Sequence, residues 1–400
     1  MRILQVHNRY YSGTGGEDAV LAQELDLLRS HGHTVTQLIV SSADELQNAG
    51  LVKLINTWTT AVWSKRGYKA TQEAIRNTSC DIVHVHNAFP LLSPSVFWAA
   101  KAMKVPVVTT LHNYRYVCAG ALFYRDGHIC EDCIGRAPWP ALLHNCYKDS
   151  LPITSSIAAI QVVHRALSTF ENKVDGYIAL TEFARQQFIK SGLPGEKIHV
   201  KPNFVDGCPT STPLEKRPYQ IAFAGQIVSA KGIDLLLKVW NSMDKKGWRL
   251  VVMGQGPDEE RLRAQYTVDG VEWLGQVPRE RSLEILGESR YCVLPSRWFE
   301  GFPMVLVEGF ARKTPAIVPD HGSFAEIVRE GRDGIVVHDL SESNLRRGLE
   351  SAMTLSGEEW LRYSNSAYER TRSEYSPEEN HNILLDIYRK VIRQSHTASA

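Results

Sequence analysis

An alternation that runs twice along the chain constrains its fold more than any other feature. Short runs rich in Val and Ile, at 3–7, 82–86, 105–112 and 176–180, are separated by longer amphipathic stretches. One of these is 17–30, where Leu21, Leu25 and Leu28 share a helical face. Strands that are apolar along their whole length are buried on both faces, so helices between them predict a parallel sheet covered on both sides. The pattern restarts with strands at 220–224, 249–253, 271–274, 290–294 and 315–318, and helices at 233–243, 257–265, 280–287 and 304–312. Between the halves run Lys201-Pro202-Asn203-Phe204 and a Pro-, Thr- and Ser-rich stretch at 208–218, which reads as a linker. The expected fold class is therefore α/β, with two successive doubly wound units at 1–203 and 204–375. A last helix at 376–400 opens with Ser376 at N-cap, Pro377 at N1 and Glu379 at N3, carries Ile383, Ile387 and Val391 on one stripe, and frays over 395–400.

The 400 residues suit two or three domains at roughly 150 residues each. Lys and Arg number 45 against 44 acidic residues, a net charge of +1, which argues against a nucleic-acid partner. The longest apolar candidate, 153–163, is interrupted by Thr154, Ser155, Ser156 and Gln161 and is too short to cross a bilayer. A strand begins at once after Met1 with no apolar leader, so a cytoplasmic location is expected. Seven cysteines, an odd number, speak against a disulfide scaffold.

Three loops could hold an anion. The first is Tyr11-Ser12-Gly13-Thr14-Gly15-Gly16-Glu17, between a strand and a helix. Glycines admit a close ligand and free helix amides attract negative charge, although a plain tight turn would look the same. Its spacing departs from G-x-G-x-x-G, which weakens a dehydrogenase reading. The second is Gly225-Gln226-Ile227-Val228-Ser229-Ala230-Lys231-Gly232, which places a lysine just before a helix. The third is Glu300-Gly301-Phe302-Pro303-Met304-Val305-Leu306-Val307-Glu308. Pro303 is expected at N1 of a helix, with Glu300 in the loop and Glu308 about a turn and a half inside. Two carboxylates so placed can accept hydroxyl hydrogen bonds on either side of a phosphate cradle. The apolar neighbours of Glu308 favour a bound partner over a solvated face.

These residues, with Thr110-Leu111-His112-Asn113 at a strand end, resemble the retaining family-4 glycosyltransferases of GT-B fold over nearly the whole chain. The resemblance implies two Rossmann-like domains facing across a cleft, the N-terminal one for an acceptor and the C-terminal one for a nucleoside-diphosphate sugar, with the last helix returning to the first domain. It implies a hexosyl group moved with retention to a hydroxyl of a glycan, a lipid-linked intermediate or a small molecule, without a catalytic metal. It makes Glu300, Lys231 and His112 the catalytic set. Glu300 would hold donor-sugar hydroxyls, Lys231 would neutralise the diphosphate and His112 would hydrogen-bond the sugar near the reacting carbon. Donor binding would further involve Gly15, Gly16, Gln226, Arg297, Gly301, Phe302, Pro303, Met304 and Glu308, with Gly254 and Val277 bordering the base. The family has arginine where this chain has Gln226, and Arg297 is the candidate to replace its charge.

Cys118, Cys130, Cys133 and Cys146 lie in an insertion at 114–150, spaced C-x11-C-x2-C-x12-C. That pattern fits a structural zinc site with four thiolates, or reduced thiols packed as small hydrophobes. The stretch 51–69, with Leu54, Trp58, Val62 and Trp63 beside Lys53, Lys65, Arg66 and Lys69, fits an amphipathic helix on the first sheet. Peripheral contact with the cytoplasmic face of the inner membrane is the second reading of that stretch. A sugar-nucleotide epimerase or phosphorylase of the same fold, and a zinc-stabilised sugar-nucleotide binder without turnover, are the alternative functions.

Overall fold

The computed structural model describes residues 1–9, 16–42, 60–206, 212–266 and 269–397. Gly13 and Gly15, Cys208, and Leu54 and Trp58 of the amphipathic stretch lie outside the described residues. The chain divides into two compact units. Unit 1 holds Met1–Phe123, Glu131–Pro202 and His381–Ala400, and unit 2 holds Tyr124–Cys130 and Asn203–Asn380.

Unit 1 is built on six parallel strands in the order β2-β1-β3-β4-β7-β8. They are β1 (Arg2–Arg9), β2 (Thr34–Ser41), β3 (Ile82–Asn87), β4 (Val107–Thr110), β7 (Gly176–Ala179) and β8 (Ile198–Val200). The pairing of β1 with β3 slips between Val6 and His7: Val6 faces Val85 and His7 faces Asn87, so His86 is the extra residue. Such a bulge re-aims side chains at the end of a strand. Ile3, Ile82, Val108 and Ile178 from the sheet pack with Leu28 and with Leu384, Leu385, Tyr388 and Val391 of the helix Pro377–Thr397. The last helix is thus core of unit 1, and it continues to Thr397 where fraying was expected from residue 395.

Unit 2 repeats the plan with the order β11-β10-β9-β12-β13-β14, all parallel. The strands are β9 (Gln220–Ala224), β10 (Arg249–Met253), β11 (Val271–Gly275), β12 (Tyr291–Val293), β13 (Ala316–Pro319) and β14 (Gly334–Val337). The first three run outward from β9 to one edge and the next three from β12 to the other, so the order reverses between β9 and β12. Three strands escaped the apolar-run pattern. β2 carries polar and exposed positions, and β8 and β14 are three and four residues long. Inside the insertion, β5 (Tyr124–Arg125) and β6 (His128–Ile129) form a two-residue hairpin, followed by a short helix, Trp139–Leu143.

Candidate functional site

In unit 2 the reversal opens a gap at the carboxyl ends of β9 and β12, where the helices leave the sheet in opposite directions. The loops that follow these two strands carry Lys231 and Glu300. Lys231 closes a tight turn, Ser229–Lys231, before the helix Ile233–Ser242. Gly232 between them has φ +72°, and a Cβ there would lie 1.8 Å from the Pro295 carbonyl oxygen. Only glycine lets the two loops come this close. Gly254 after β10 is similar: at φ +134° a Cβ would stand 1.9 Å from the Gly225 carbonyl oxygen. Three loops are therefore locked backbone to backbone around the gap.

Lys231 Nζ donates to Glu300 Oε1 at 2.5 Å, and Ser296 Oγ donates to the same oxygen at 2.7 Å. The ammonium also lies 4.9 Å from the centre of the Trp298 ring. Ser323 Oγ donates to the Glu300 carbonyl, fixing the loop. Glu308 accepts from Arg279 Nη2 at 2.6 Å, so its partner among the described residues is a cation rather than bare solvent. Pro303 precedes the helix Met304–Phe310 as its N-cap, a position earlier than N1, with an extended ψ of 97°. Gln226 is exposed, Met304, Gly301 and Val277 are half-buried, and Phe302 is buried.

Arg297 does not present a loose guanidinium. Its Nη1 donates to both Asp234 carboxylate oxygens and to the Ser229 carbonyl at 3.0 Å. Its backbone N–H donates to Ala230 O at 2.8 Å. Arg297 thus holds the Lys231 turn in place. Asp258 braces the turn from the other side by accepting from Ser229 N at 2.7 Å. Burial works to raise the Asp258 carboxyl, and hydrogen bonds from Arg261 and Ser229 outweigh it and keep it below its ordinary value.

In unit 1, Gly16 opens the helix Gly16–Ser30, and His112 follows β4. Behind His112 lies a group that the sequence pattern did not single out. Glu24 sits on the buried face of that helix, and His84 and His86 stand two residues apart on β3. Glu24 Oε1 accepts from Gln5 Nε2 at 3.2 Å and lies 3.1 Å from both His86 Nε2 and His84 Nδ1, while Lys201 Nζ reaches Oε2 at 3.3 Å. His84 also contacts Tyr388 OH at 2.7 Å and Thr110 Oγ1 at 2.8 Å. His86 Nδ1 is 3.1 Å from His112 Nε2. The signal was available: a glutamate among Leu21, Leu25 and Leu28, and two histidines at strand spacing in an apolar run.

Burial pushes the Glu24 carboxyl up, but His84, Lys201 and His86 outweigh it and hold it well below the usual carboxylate range. Burial, then His84, bring His86 down to about 4 against the pull of Glu24. His112 lies well below its ordinary value through burial first and His86 second. The hydrogen-bond roles then follow in series. An ionised carboxylate only accepts, so His86 Nε2 carries the proton. A neutral His86 leaves Nδ1 as an acceptor, so His112 donates from Nε2 and keeps a lone pair on Nδ1.

Among the described residues, Glu24, His84 and His86 are the one group of three ligand-type side chains whose donor atoms lie within 4.8 Å of one another. The Lys201 ammonium on Glu24 and the Gln5 donor close that group without an ion. Cys118, Cys133 and Cys146 belong to unit 1 and Cys130 to unit 2, and all four carry thiols, with Cys118 pushed up by burial. Cys133 and Cys146 pack against the apolar cluster of Phe89, Ala141, Ile157 and Ile160.

Comparison with known proteins gives two family matches: "Glycosyltransferase Family 4" over residues 14–207 and "Glycosyl transferases group 1" over residues 209–370. An exopolysaccharide phosphotransferase of Streptomyces coelicolor is 31% identical over 207 residues, 49% of this chain and 21% of that protein. A phosphatidyl-myo-inositol mannosyltransferase of Mycobacterium leprae is 23% identical over 359 residues, covering 84% of this chain and 83% of that protein. The crystal structure of Anabaena HepE in complex with UDP-glucose superposes with a TM-score of 0.66 at 14% identity, over 99% of this chain and 100% of that one. The first curated relatives are matched over 21 to 50% of their own length.

The tautomer series is open to direct measurement. Long-range proton–nitrogen spectra of histidine-labelled protein at pH 7 are expected to show His86 and His112 both protonated on Nε2 only. Glu24→Gln should disturb both, and a His112 protonated on Nδ1 in the unaltered protein contradicts the series.

Stability carries the same signature. His86 titrates near 4 folded and near its ordinary 6.5 unfolded, so the unfolded chain takes up the proton first as pH falls. Stability is complete above pH 6.5 and declines toward pH 4, by up to about 3 kcal/mol from this group. Urea unfolding is expected to show the decline between pH 7 and 5, and His86→Asn should shrink it. An equal decline in both proteins would show that His86 is not buried neutral.

Proposed function

The chain belongs to the family 4 and group 1 glycosyltransferases of GT-B fold, and on that premise we propose that it transfers a hexosyl group from a nucleoside-diphosphate sugar to a hydroxyl acceptor with retention of configuration. The observation that carries this reading is the Lys231–Glu300 pair at the point where the strand order of unit 2 reverses. Open α/β sheets bind nucleotides at such a point.

Breaking the sugar–phosphate bond gathers negative charge on the leaving oxygen. In this proposal Lys231 meets that charge in place of a metal ion, and a well-placed donor of this kind contributes on the order of 3 kcal/mol. Glu300 orients hydroxyls of the donor sugar and Glu308 those of the ribose. A ribose hydroxyl would compete with Arg279 for Glu308. Arg297 serves by fixing the Ser229–Lys231 turn, since its guanidinium is already spent on Asp234. Gln226 supplies an uncharged donor, so the diphosphate charge falls to Lys231. From unit 1 the resemblance assigns His112 to the sugar, and a Nδ1 lone pair suits it to accept a hydroxyl. The Gly15 and Gly16 turn would attend the distal phosphate, and Gly254 and Val277 the base. The acceptor, a glycan or a lipid-linked intermediate, would use unit 1. No helix among the described residues is long and apolar enough to cross a membrane. In this proposal any contact with the cytoplasmic face of the inner membrane is peripheral.

A panel of UDP-, GDP- and ADP-sugars is expected to yield free nucleoside diphosphate in the presence of excess EDTA. Lys231→Ala and Glu300→Ala should each lower that yield at least tenfold with an unchanged melting temperature. Activity that disappears with EDTA and returns only with divalent salt would defeat the metal-free reading. Isomerised donor without diphosphate release would point to an epimerase.

A further inference from the structure

Unit 1 contains an open recess beside His112. Phe89, Ile157, Ile160 and Phe170 wall it, and His112 and Gln161 stand among its polar lining. We propose that this recess receives the apolar part of a neutral, hydroxyl-bearing amphiphile, an alkyl or aryl glycoside in chemical class, as acceptor. The word acceptor rests on the transferase reading above; the binding does not.

Gln161 is 3% exposed, its Nε2 donates to the Arg115 carbonyl at 2.8 Å, and its Oε1 has no hydrogen-bond partner. A buried acceptor without a donor is costly, and a ligand hydroxyl removes that cost. His112 spends Nε2 on His86, and its Nδ1 acceptor is the one assigned above to the donor sugar. Gln161 Oε1 thus offers an acceptor to a group that donates. Asn113 is already engaged, donating to Glu17 at 2.8 Å and accepting from Arg115 N at 3.1 Å. The one charged side chain in the lining is Arg115, and its guanidinium is stacked 4.7 Å from the Phe89 ring centre and 5.1 Å from that of Tyr147. A site made of aromatic and aliphatic walls, neutral imidazoles and amides, and a cation held between rings favours a hydroxyl over an ionic head group.

Calorimetry on the full chain with methyl, hexyl and octyl β-glucosides, all below micelle formation, tests the proposal. Affinity is expected to rise at least tenfold from methyl to octyl. Ile160→Trp, which fills the recess, should abolish the rise, and Gln161→Leu, which leaves the volume but removes the acceptor, should weaken octyl glucoside about fivefold. Equal affinities along the series overturn the proposal, as does a rise that survives Ile160→Trp. Octyl phosphate binding more tightly than octyl glucoside overturns the neutral head group. Should Ile160→Trp fail to fold, Gln161→Leu and the chain-length series in the unaltered protein decide the matter. A chain-length gain without any sugar transfer leaves this site standing and removes the transferase reading; transfer without the gain does the reverse.

Discussion

A parallel sheet whose strand order reverses cannot cover the carboxyl ends of the two strands at the reversal, because their following helices depart to opposite faces. In unit 2 that constraint acts at β9 and β12, and everything of chemical interest there follows from it. Loops converging on a gap need room, and Gly232 and Gly254 provide it by letting backbone meet backbone where any Cβ would stand under 2 Å from a carbonyl oxygen. The same approach delivers Lys231 to Glu300. Rigidity comes from charge already paired, Arg297 with Asp234 and Asp258 with Arg261, while Asp258 also accepts from Ser229 N. Lys231 and Glu300 are therefore held by residues whose own charges are already engaged.

Unit 1 solves a different problem. Burying an ionised carboxylate is expensive unless its oxygens are occupied by donors. Glu24 meets this with Gln5 and His86 on one oxygen and Lys201 on the other. Lys201 comes from the stretch that composition marks as a linker, and Tyr388 from the last helix reaches His84 of the same group. Four separate segments of sequence are thus tied to one carboxylate. The consequence travels outward: a fixed charge sets the proton on His86, and His86 sets the proton on His112.

The α/β class was legible because the strands are apolar runs. β1, β3, β9 and β10 declare themselves this way, whereas β2 lies at an edge with three of its eight positions exposed and carries no such mark. Resemblance singled out Glu300, Lys231 and His112, and the structure brings Lys231 and Glu300 together; spacing alone would have left Lys231 as a surface lysine. The Glu24 group was not, because Lys201 lies 177 residues from Glu24 and a lone glutamate among leucines says only that a partner exists. The C-x2-C spacing suggests a ligand pair, and packing against Phe89 and Ile160 also suits Cys133 and Cys146 as small apolar bodies. Sequence shows Arg297 as a cation in this loop but not Asp234, the aspartate that engages it.

The pairing of Lys231 with Glu300 bears on how a donor would be admitted. Both side chains are mostly buried, at 17% and 11% exposure, so neither is well hydrated, and each compensates the other. A diphosphate entering the gap competes with Glu300 for the ammonium and offers it more negative charge. Glu300 would then be left as a partly desolvated carboxylate with Ser296 as its remaining donor, and sugar hydroxyls are the natural replacement. A free diphosphate brings no such hydroxyls, and a free sugar brings nothing for Lys231. On the proposed reading the pair would favour a ligand that carries both parts at once, as a sugar nucleotide does, without a separate specificity element.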